Sequence, residues 1–261
     1  MLRGKALFAS IVLIYAFLLA PLVAVLAVSI SSREQFTITW LEPTLKWYQA
    51  FFASHSFFNS LFYVSLPMAI VAATIATLLG AGAAVAITRF RFPGRSALEA
   101  FLMLPLLIPA ILLGAALYLM FARMNGNGTF VSLLIGHILI GMPYPIRVIT
   151  AGLSGVDRAI EDAAVSLGCS RVTAFLKVVV PLIRGSLLSG WVFALIISFS
   201  DINVALFLSG PATQTLPLQI FSEIQWGGDP KIAAASGVQI LLVGTLVLAI
   251  QRIFKIRLAF K

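Results

Sequence analysis

Six long apolar runs decide what this chain can fold into: roughly Leu7 to Ile30, Asn59 to Ile87, Leu98 to Phe121, Phe130 to Ile149, Ser186 to Leu208 and Ile232 to Phe254. Each supplies the ~20 mostly apolar residues that a transmembrane helix needs. Only 10% of the 261 residues are charged, against about 25% in soluble domains. The mean hydropathy of +1.05 says the same. The fold class expected is therefore all-α: a polytopic membrane bundle of six transmembrane helices. No stretch is polar and long enough to form a separate soluble domain, so residues 1–261 read as one membrane domain. The first run follows Arg3 and Lys5 as a signal peptide would. It outlasts the ~7 to 15 apolar residues of a signal sequence, which makes it a retained span.

Basic residues set the orientation, because cytoplasmic segments carry the excess of Lys and Arg. With both termini in the cytoplasm, fourteen of the eighteen fall inside: Arg3 and Lys5; Arg89, Arg91 and Arg95; Arg147, Arg158, Arg171, Lys177 and Arg184; Arg252, Lys255, Arg257 and Lys261. Arg33, Lys46, Arg123 and Lys231 fall outside. The formal charge of +9 is thus spread between membrane spans and gathers on no polar face, so it signals topology in a lipid bilayer and no nucleic acid partner. Cys169 is alone, which excludes an internal disulfide, and His55 and His137 lie too far apart for a metal-ligand pattern. No metal site is expected.

The connectors are short or interfacial. Ser31 to Phe58 carries Trp40, Trp47 and Tyr48, the composition of a chain lying along the membrane surface. Arg91-Phe92-Pro93-Gly94-Arg95 and Asn125-Gly126-Asn127-Gly128 are turn clusters that end spans two to four. Gly80, Gly82, Ala83 and Ala84, and again Gly114, Ala115 and Ala116, allow close helix approach. Pro67, Pro105, Pro109, Pro143 and Pro145 each remove a backbone donor and tend to kink a span.

One internal segment breaks the apolar rule. From Val156 to Leu167, the apolar residues Val156, Ile160, Ala163, Ala164 and Leu167 recur at three- and four-residue steps, an amphipathic helix with Asp157, Glu161 and Asp162 largely off its apolar face. Gly168 ends it, Ser170 can cap a second helix through Lys177, and Pro181 opens the next span. The pattern predicts a helix-turn-helix knob, on the cytoplasmic side by the charge count.

Asp162-Ala163-Ala164, then Gly168, then Val178-x-Val180-Pro181, resembles the Glu-Ala-Ala loop of binding-protein-dependent ABC importer permeases. Asp162 stands where that family usually has Glu, and Val178 and Val180 where it has Ile and Leu. The likeness extends to residues 89–95, to Leu104-Pro105-Leu106-Leu107-Ile108-Pro109, and to Gly136-His137 with Met142-Pro143-Tyr144, covering most of the chain. It implies a subunit that forms the membrane path, paired with a second permease and two ATP-binding subunits, in a bacterial inner membrane. An extracytoplasmic substrate-binding protein would feed it. The family's loop docks as a coupling helix, which carries over to Glu161, Asp162, Ala163, Ala164, Gly168 and Pro181. ATP and Mg would then sit on the partner subunits. The chain has no Gly-x-x-x-x-Gly-Lys-Ser/Thr loop, since its lone Gly4-Lys5 is followed by Ala6.

Two further regions bear on cargo. Asp201 lies between apolar residues in Ser198-Phe199-Ser200-Asp201-Ile202-Asn203, and a carboxylate at the centre of a span costs about 2.5–3.5 kcal/mol on translocon scales. Ser200, Asp201 and Asn203 are candidates for lining a cation path. The other reading ends the span earlier and leaves Asp201 structural at the outer interface. The run from Ser209 to Phe221, leading to Gly227-Gly228-Asp229-Pro230, is similar to the outer loop of the second permease of spermidine/putrescine-type systems. Ferric-iron, thiamine, 2-aminoethylphosphonate and 4-aminobutyrate systems share that branch. Glu223, Trp226 and Asp229 are candidates there for meeting the binding protein or the cargo. A different class, an ion-coupled secondary transporter, would need more intramembrane carboxylates than Asp201 and an inverted pair of broken spans. An intramembrane enzyme would need a convergent nucleophile and base, and His137 among apolar neighbours reads as a hydrogen-bonded packing residue.

Overall fold

Helices account for all the regular structure among the described residues, with no strand. The computed structural model describes residues 2–32, 43–226 and 229–254. Expectations resting on Arg33, Trp40, Gly227, Gly228, Lys255, Arg257 and Lys261 lie outside those residues.

In chain order the helices are α1 (Leu2–Ser29), α2 (Lys46–Ala53) and α3 (His55–Asn59), then a π-helical turn Ser60–Ser65 leading into α4 (Leu66–Arg89). Next come α5 (Arg95–Leu107), α6 (Ala110–Ala122), α7 (Phe130–Gly141), α8 (Pro143–Ser154), α9 (Arg158–Ser166) and α10 (Arg171–Ala174). A second π-helical turn, Phe175–Val179, joins α10 to α11 (Val180–Leu182), followed by α12 (Arg184–Ser200), α13 (Asn203–Leu208), α14 (Leu216–Gln225) and α15 (Lys231–Phe254).

Among the described residues four helical runs are long and apolar enough to cross a membrane, and two bent pairs bring the number to six if each pair is one span. Two breaks revise the expected spans. Leu98 to Phe121 is not one rod: α5 and α6 meet at 103° around Ile108 and Pro109. Ser186 to Leu208 stops at Ser200, where Asp201 leaves the helix at ψ 134° before α13 begins. The first break lies at a proline expected to kink its span, and the second falls where Ser200, Asp201 and Asn203 cluster, the earlier span end that the sequence left open. Pro109 does stand at a sharp bend, as expected of it, whereas Pro67 and Pro143 fall at first-turn positions of α4 and α8 inside longer helical runs, Pro67 directly after a π turn. Pro109 stands just ahead of α6, and Pro105 alone of the five sits well inside a helix.

The chain divides into two compact units. One holds residues 1–59 and 219–246, the other residues 60–218 and 247–261. In the first, α2 is tied to the end of α1 by polar contacts: Ser29 Oγ and Tyr48 Oη share a hydrogen bond of 2.9 Å, and Trp47 Nε1 donates to the Ser31 carbonyl at 2.8 Å. Most of α1 presents Leu, Ile and Phe outward, as lipid allows.

In the second unit α4, α8 and α12 pack pairwise around proline and glycine. Pro145 on α8 lies between Gly80 of α4 and Gly190 of α12; a Cβ at Gly190 would come within 2.9 Å of the Pro145 Cα, and one at Gly80 within 3.2 Å of its ring. Below this seat Ala84, Ile149, Leu153, Val179 and Ile183 form a buried cluster. Between α7 and α12, His137 Nδ1 and Ser198 Oγ form a buried 2.8 Å bond, so His137 does pack as a hydrogen-bonded residue.

Candidate functional site

The polar knob is built by caps at both ends. Asp157 Oδ1 accepts from Ala159 N at 3.0 Å and starts α9 at Arg158, two residues later than apolar spacing from Val156 suggested. At the other end Gly168 takes φ +94°, Gly168 N donates to Val165 O at 2.9 Å and Cys169 N to Ala164 O at 3.2 Å. That pair of bonds is a Schellman ending, which needs a left-handed residue at this place. Ser170 then caps α10, accepting from Thr173 N at 3.2 Å.

The second helix departs from expectation. It does not stop near Lys177 with Pro181 opening a span; it runs through the π turn to Leu182, and Pro181 lies within it. Ile183 (φ −96°, ψ 7°) then makes a 70° bend, after which α12 begins at Arg184. Proline cannot donate to the carbonyl four residues back, and a π turn immediately upstream is one way for a helix to pass such a gap.

No residue of α9 is buried. Ile160 is 45% exposed and Leu167 87%, with Ala163 between them also exposed. The expected apolar face is real, but its Ile160–Ala163–Leu167 edge has no cover among the described residues. Asp162 is exposed, Ala164 half-buried, and Glu161 turns inward to Arg89, with Arg89 Nε 3.9 Å from Glu161 Oε2.

What sequence reasoning missed is the clamp that holds the knob. Arg158 Nη2 donates to the carbonyls of Thr88 and Arg89, at 2.9 and 2.8 Å, and Arg89 Nη2 donates to Val156 O at 3.4 Å. Arg158 sits in the first turn of α9, where a cation opposes the helix dipole, yet its guanidinium serves the last turn of α4, where a cation is favoured. That misfit was the available signal; as topology markers alone, the two arginines looked interchangeable with the rest.

At the other candidate region Asp201 is only 9% exposed, and its Oδ2 accepts from Val204 N at 2.9 Å and Ala205 N at 3.1 Å. It therefore caps α13. That short helix is wedged close to α6 and α7: a Cβ on Gly114 would lie 3.0 Å from the Asn203 carbonyl, and one on Gly136 2.6 Å from Val204 Cγ1. Ser200 and Asn203 are exposed on either side. Beyond α13, Thr213 Oγ1 accepts from Gly210 N at 2.7 Å and donates to Gly128 O at 3.1 Å, fastening this loop to the turn before α7. Glu223 accepts from Gln219 Nε2 at 3.3 Å, Trp226 is 90% exposed, and Asp229 lies 3.9 Å from Lys231 Nζ. Among the described residues no cluster of His, Cys, Asp and Glu could hold a metal ion.

Residues 76–259, which include the knob, the clamp and the Asp201 break, match the family of binding-protein-dependent transport system inner membrane components. The chain belongs to that family. The permease is 32% identical over 240 residues to the spermidine/putrescine transport system permease protein PotC of Escherichia coli K12, covering 92% of this chain and 90% of that protein. It is 31% identical over 240 residues to the PotC of Haemophilus influenzae, with 92% and 93% covered. To the putrescine transport system permease protein PotI of Escherichia coli K12 it is 30% identical over 237 residues, with 88% and 84% covered. The fold is shared with a chain of a bacterial ABC transporter involved in the import of the acidic polysaccharide alginate, at a TM-score of 0.74 and 15% identity, covering 96% of each. The permease is thus a multi-pass inner-membrane transport subunit and not an enzyme.

Proposed function

We propose that this permease forms, as one membrane domain with six spans and both termini in the cytoplasm, half of the path of an ATP-driven importer for a small cationic amine of the polyamine class. A second permease completes the path, two ATP-binding subunits carrying ATP and Mg²⁺ drive it, and an extracytoplasmic binding protein supplies cargo. The observation that carries the reading is the uncovered apolar edge of α9, held rigidly to α4 by Arg158 and Arg89. Residues 156–181 are the coupling loop: Ala163 and Ala164 keep the knob slim enough to enter a cleft, Asp162 and Glu161 set its charged flank, and Gly168 fixes its end. Pro181 serves indirectly, beside the bend at Ile183 where motion of the knob would reach α12.

The polyamine assignment follows the relatives' names and the presence of a carboxylate at the break after α12. Ser200, Asp201 and Asn203 line the proposed path; Glu223, Trp226 and Asp229 form the outer contact. Two substitutions separate charge from capping. Asp201→Ala removes the acceptor for Val204 and Ala205, a cap worth about 0.5–2 kcal/mol, and should lower the amount of folded permease in membranes. Asp201→Asn keeps an acceptor oxygen and removes the charge, so it should leave the folded amount unchanged while cutting spermidine or putrescine uptake by on the order of tenfold. Uptake and preference unaltered in Asp201→Asn would leave the residue as a helix cap alone.

The complex itself is tested by affinity purification of the tagged permease from its own membranes. An ATPase and a second permease should copurify with the parent and be lost from Ala163→Arg, whose exposed position spares the fold. Uptake driven by this chain alone in vesicles without ATP would overturn the reading in favour of a secondary transporter.

A further inference from the structure

At the C-terminal end of α4, the last turn of a run long and apolar enough to cross a membrane, a cavity of about 370 Å³ opens between that turn, α9 and the α10 segment. Its walls have two characters. Arg89, Arg158 and Arg171 face Glu161 and Asp162, leaving one positive charge in excess. Glu161 is already taken by Arg89, and Arg158 spends one nitrogen on the α4 carbonyls. The exposed Arg171 side chain has no hydrogen bond or ion pair among the described residues. The rest of the lining is apolar and open: Phe90 is exposed by 60%, Val172 by 69% and Leu176 by 57%.

Phe90, Val172 and Leu176 would be costly to leave in water, yet they border a group of guanidiniums at the end of a membrane-crossing helix. A phosphate monoanion satisfies the charge, because guanidinium forks bind its oxygens and a single negative charge matches the excess. A hydrocarbon chain satisfies the apolar wall. We propose that this cavity is a binding site for one anionic phospholipid, its phosphodiester on Arg171 and Arg158 and an acyl chain along Phe90, Val172 and Leu176. Basic pockets between membrane helices hold such headgroups elsewhere by the same electrostatics. The site stands on its mixed basic and apolar lining at the end of a run long and apolar enough to cross a membrane, and does not depend on the identity of the cargo. Because Arg158 and Glu161 belong both to the cavity and to α9, the lipid would brace the knob from the membrane side.

The test is native mass spectrometry of the complete transporter complex, purified with this chain and exchanged into equal amounts of phosphatidylglycerol and phosphatidylcholine with identical acyl chains. One phosphatidylglycerol should stay bound in preference to phosphatidylcholine. Arg171→Gln should lower that retention by about fivefold, the effect of one basic residue near an anionic lipid, and Arg171→Lys should restore most of it. Leu176→Gln should weaken retention of the lipid without changing competition by glycerol 3-phosphate. Equal retention of the two lipids, no change in Arg171→Gln, or displacement by glycerol 3-phosphate at the concentration at which lipid itself competes would each overturn the site. Retention seen only in a permease pair stripped of its ATPase would overturn it too, by assigning the cavity to the subunit interface.

Discussion

Replacing Gly190 with leucine should leave little folded permease in the membrane. The Cβ alone would enter within 2.9 Å of the Pro145 Cα and 3.0 Å of its Cβ. The proline cannot retreat, because Gly80 stands behind it, so close that a Cβ there would lie 3.2 Å from the ring. Backbone meets backbone here, so no side chain can swing aside, and α12 would have to move away from α8 and α4 together. Overpacking a tight contact costs about 1–3 kcal/mol even where some relaxation is possible. In a bilayer, where helix association rests on packing in place of a hydrophobic force, few contacts replace it. Gly82→Leu is the control. It sits on the same helix as Gly80, with nothing within 4 Å of where its Cβ would stand, and should fold at parental level. Fluorescence size-exclusion profiles and melting in detergent compare the two; a Gly190→Leu protein that melts with the parent would show that α12 is not locked by this contact.

The second large effect concerns activity. Gly168→Val should reduce ATP-driven uptake by at least about tenfold at unchanged expression. Nothing lies within 4 Å of a Cβ at this position, so the penalty is not steric crowding by neighbours; it is the φ of +94°, which a β-branched residue disfavours. An L-residue in the left-handed region pays about 1–2 kcal/mol, and α9 has no buried side chain with which to resist unwinding. Loss of the two closing bonds to Val165 and Ala164 would release Leu167, the outermost apolar residue of the knob. Gly168→Asn, which tolerates that conformation better, should keep a substantial part of the uptake. Equal uptake in the Val, Asn and parental proteins would remove Gly168 from the proposed coupling loop.

These two glycines also mark what the sequence could and could not disclose. Gly168 was legible because a helix stop has a local signature: an amphipathic repeat, a glycine and then a capping serine. Gly190 was not, because its role is created by Pro145, far upstream on another helix, and one chain read along its length carries no record of that meeting. The same division runs through the rest. Apolar runs announced helices and the knob between them, and Pro109 and the polar residues around Asp201 marked where two spans break, but the 103° size of the turn has no signature in hydropathy. Asp201 stood out as a charge among apolar residues; that its oxygen caps α13 depends on how the backbone turns before Val204 and Ala205. Arg89 and Arg158 were visible as charges and invisible as a pair, since sixty-nine positions separate them.

The π turn at Phe175–Val179 has a consequence for how this protein can change over generations. Such a turn holds one residue more than an α-helical ladder requires, while the helix on each side keeps its facing. A single-codon loss there could close the ladder without turning α12 relative to the knob. The same loss within α8 or α12 would rotate every following side chain by about 100° and unseat Pro145 from its glycines. Inheritance can therefore edit the length of the chain between the knob and α12 at this turn.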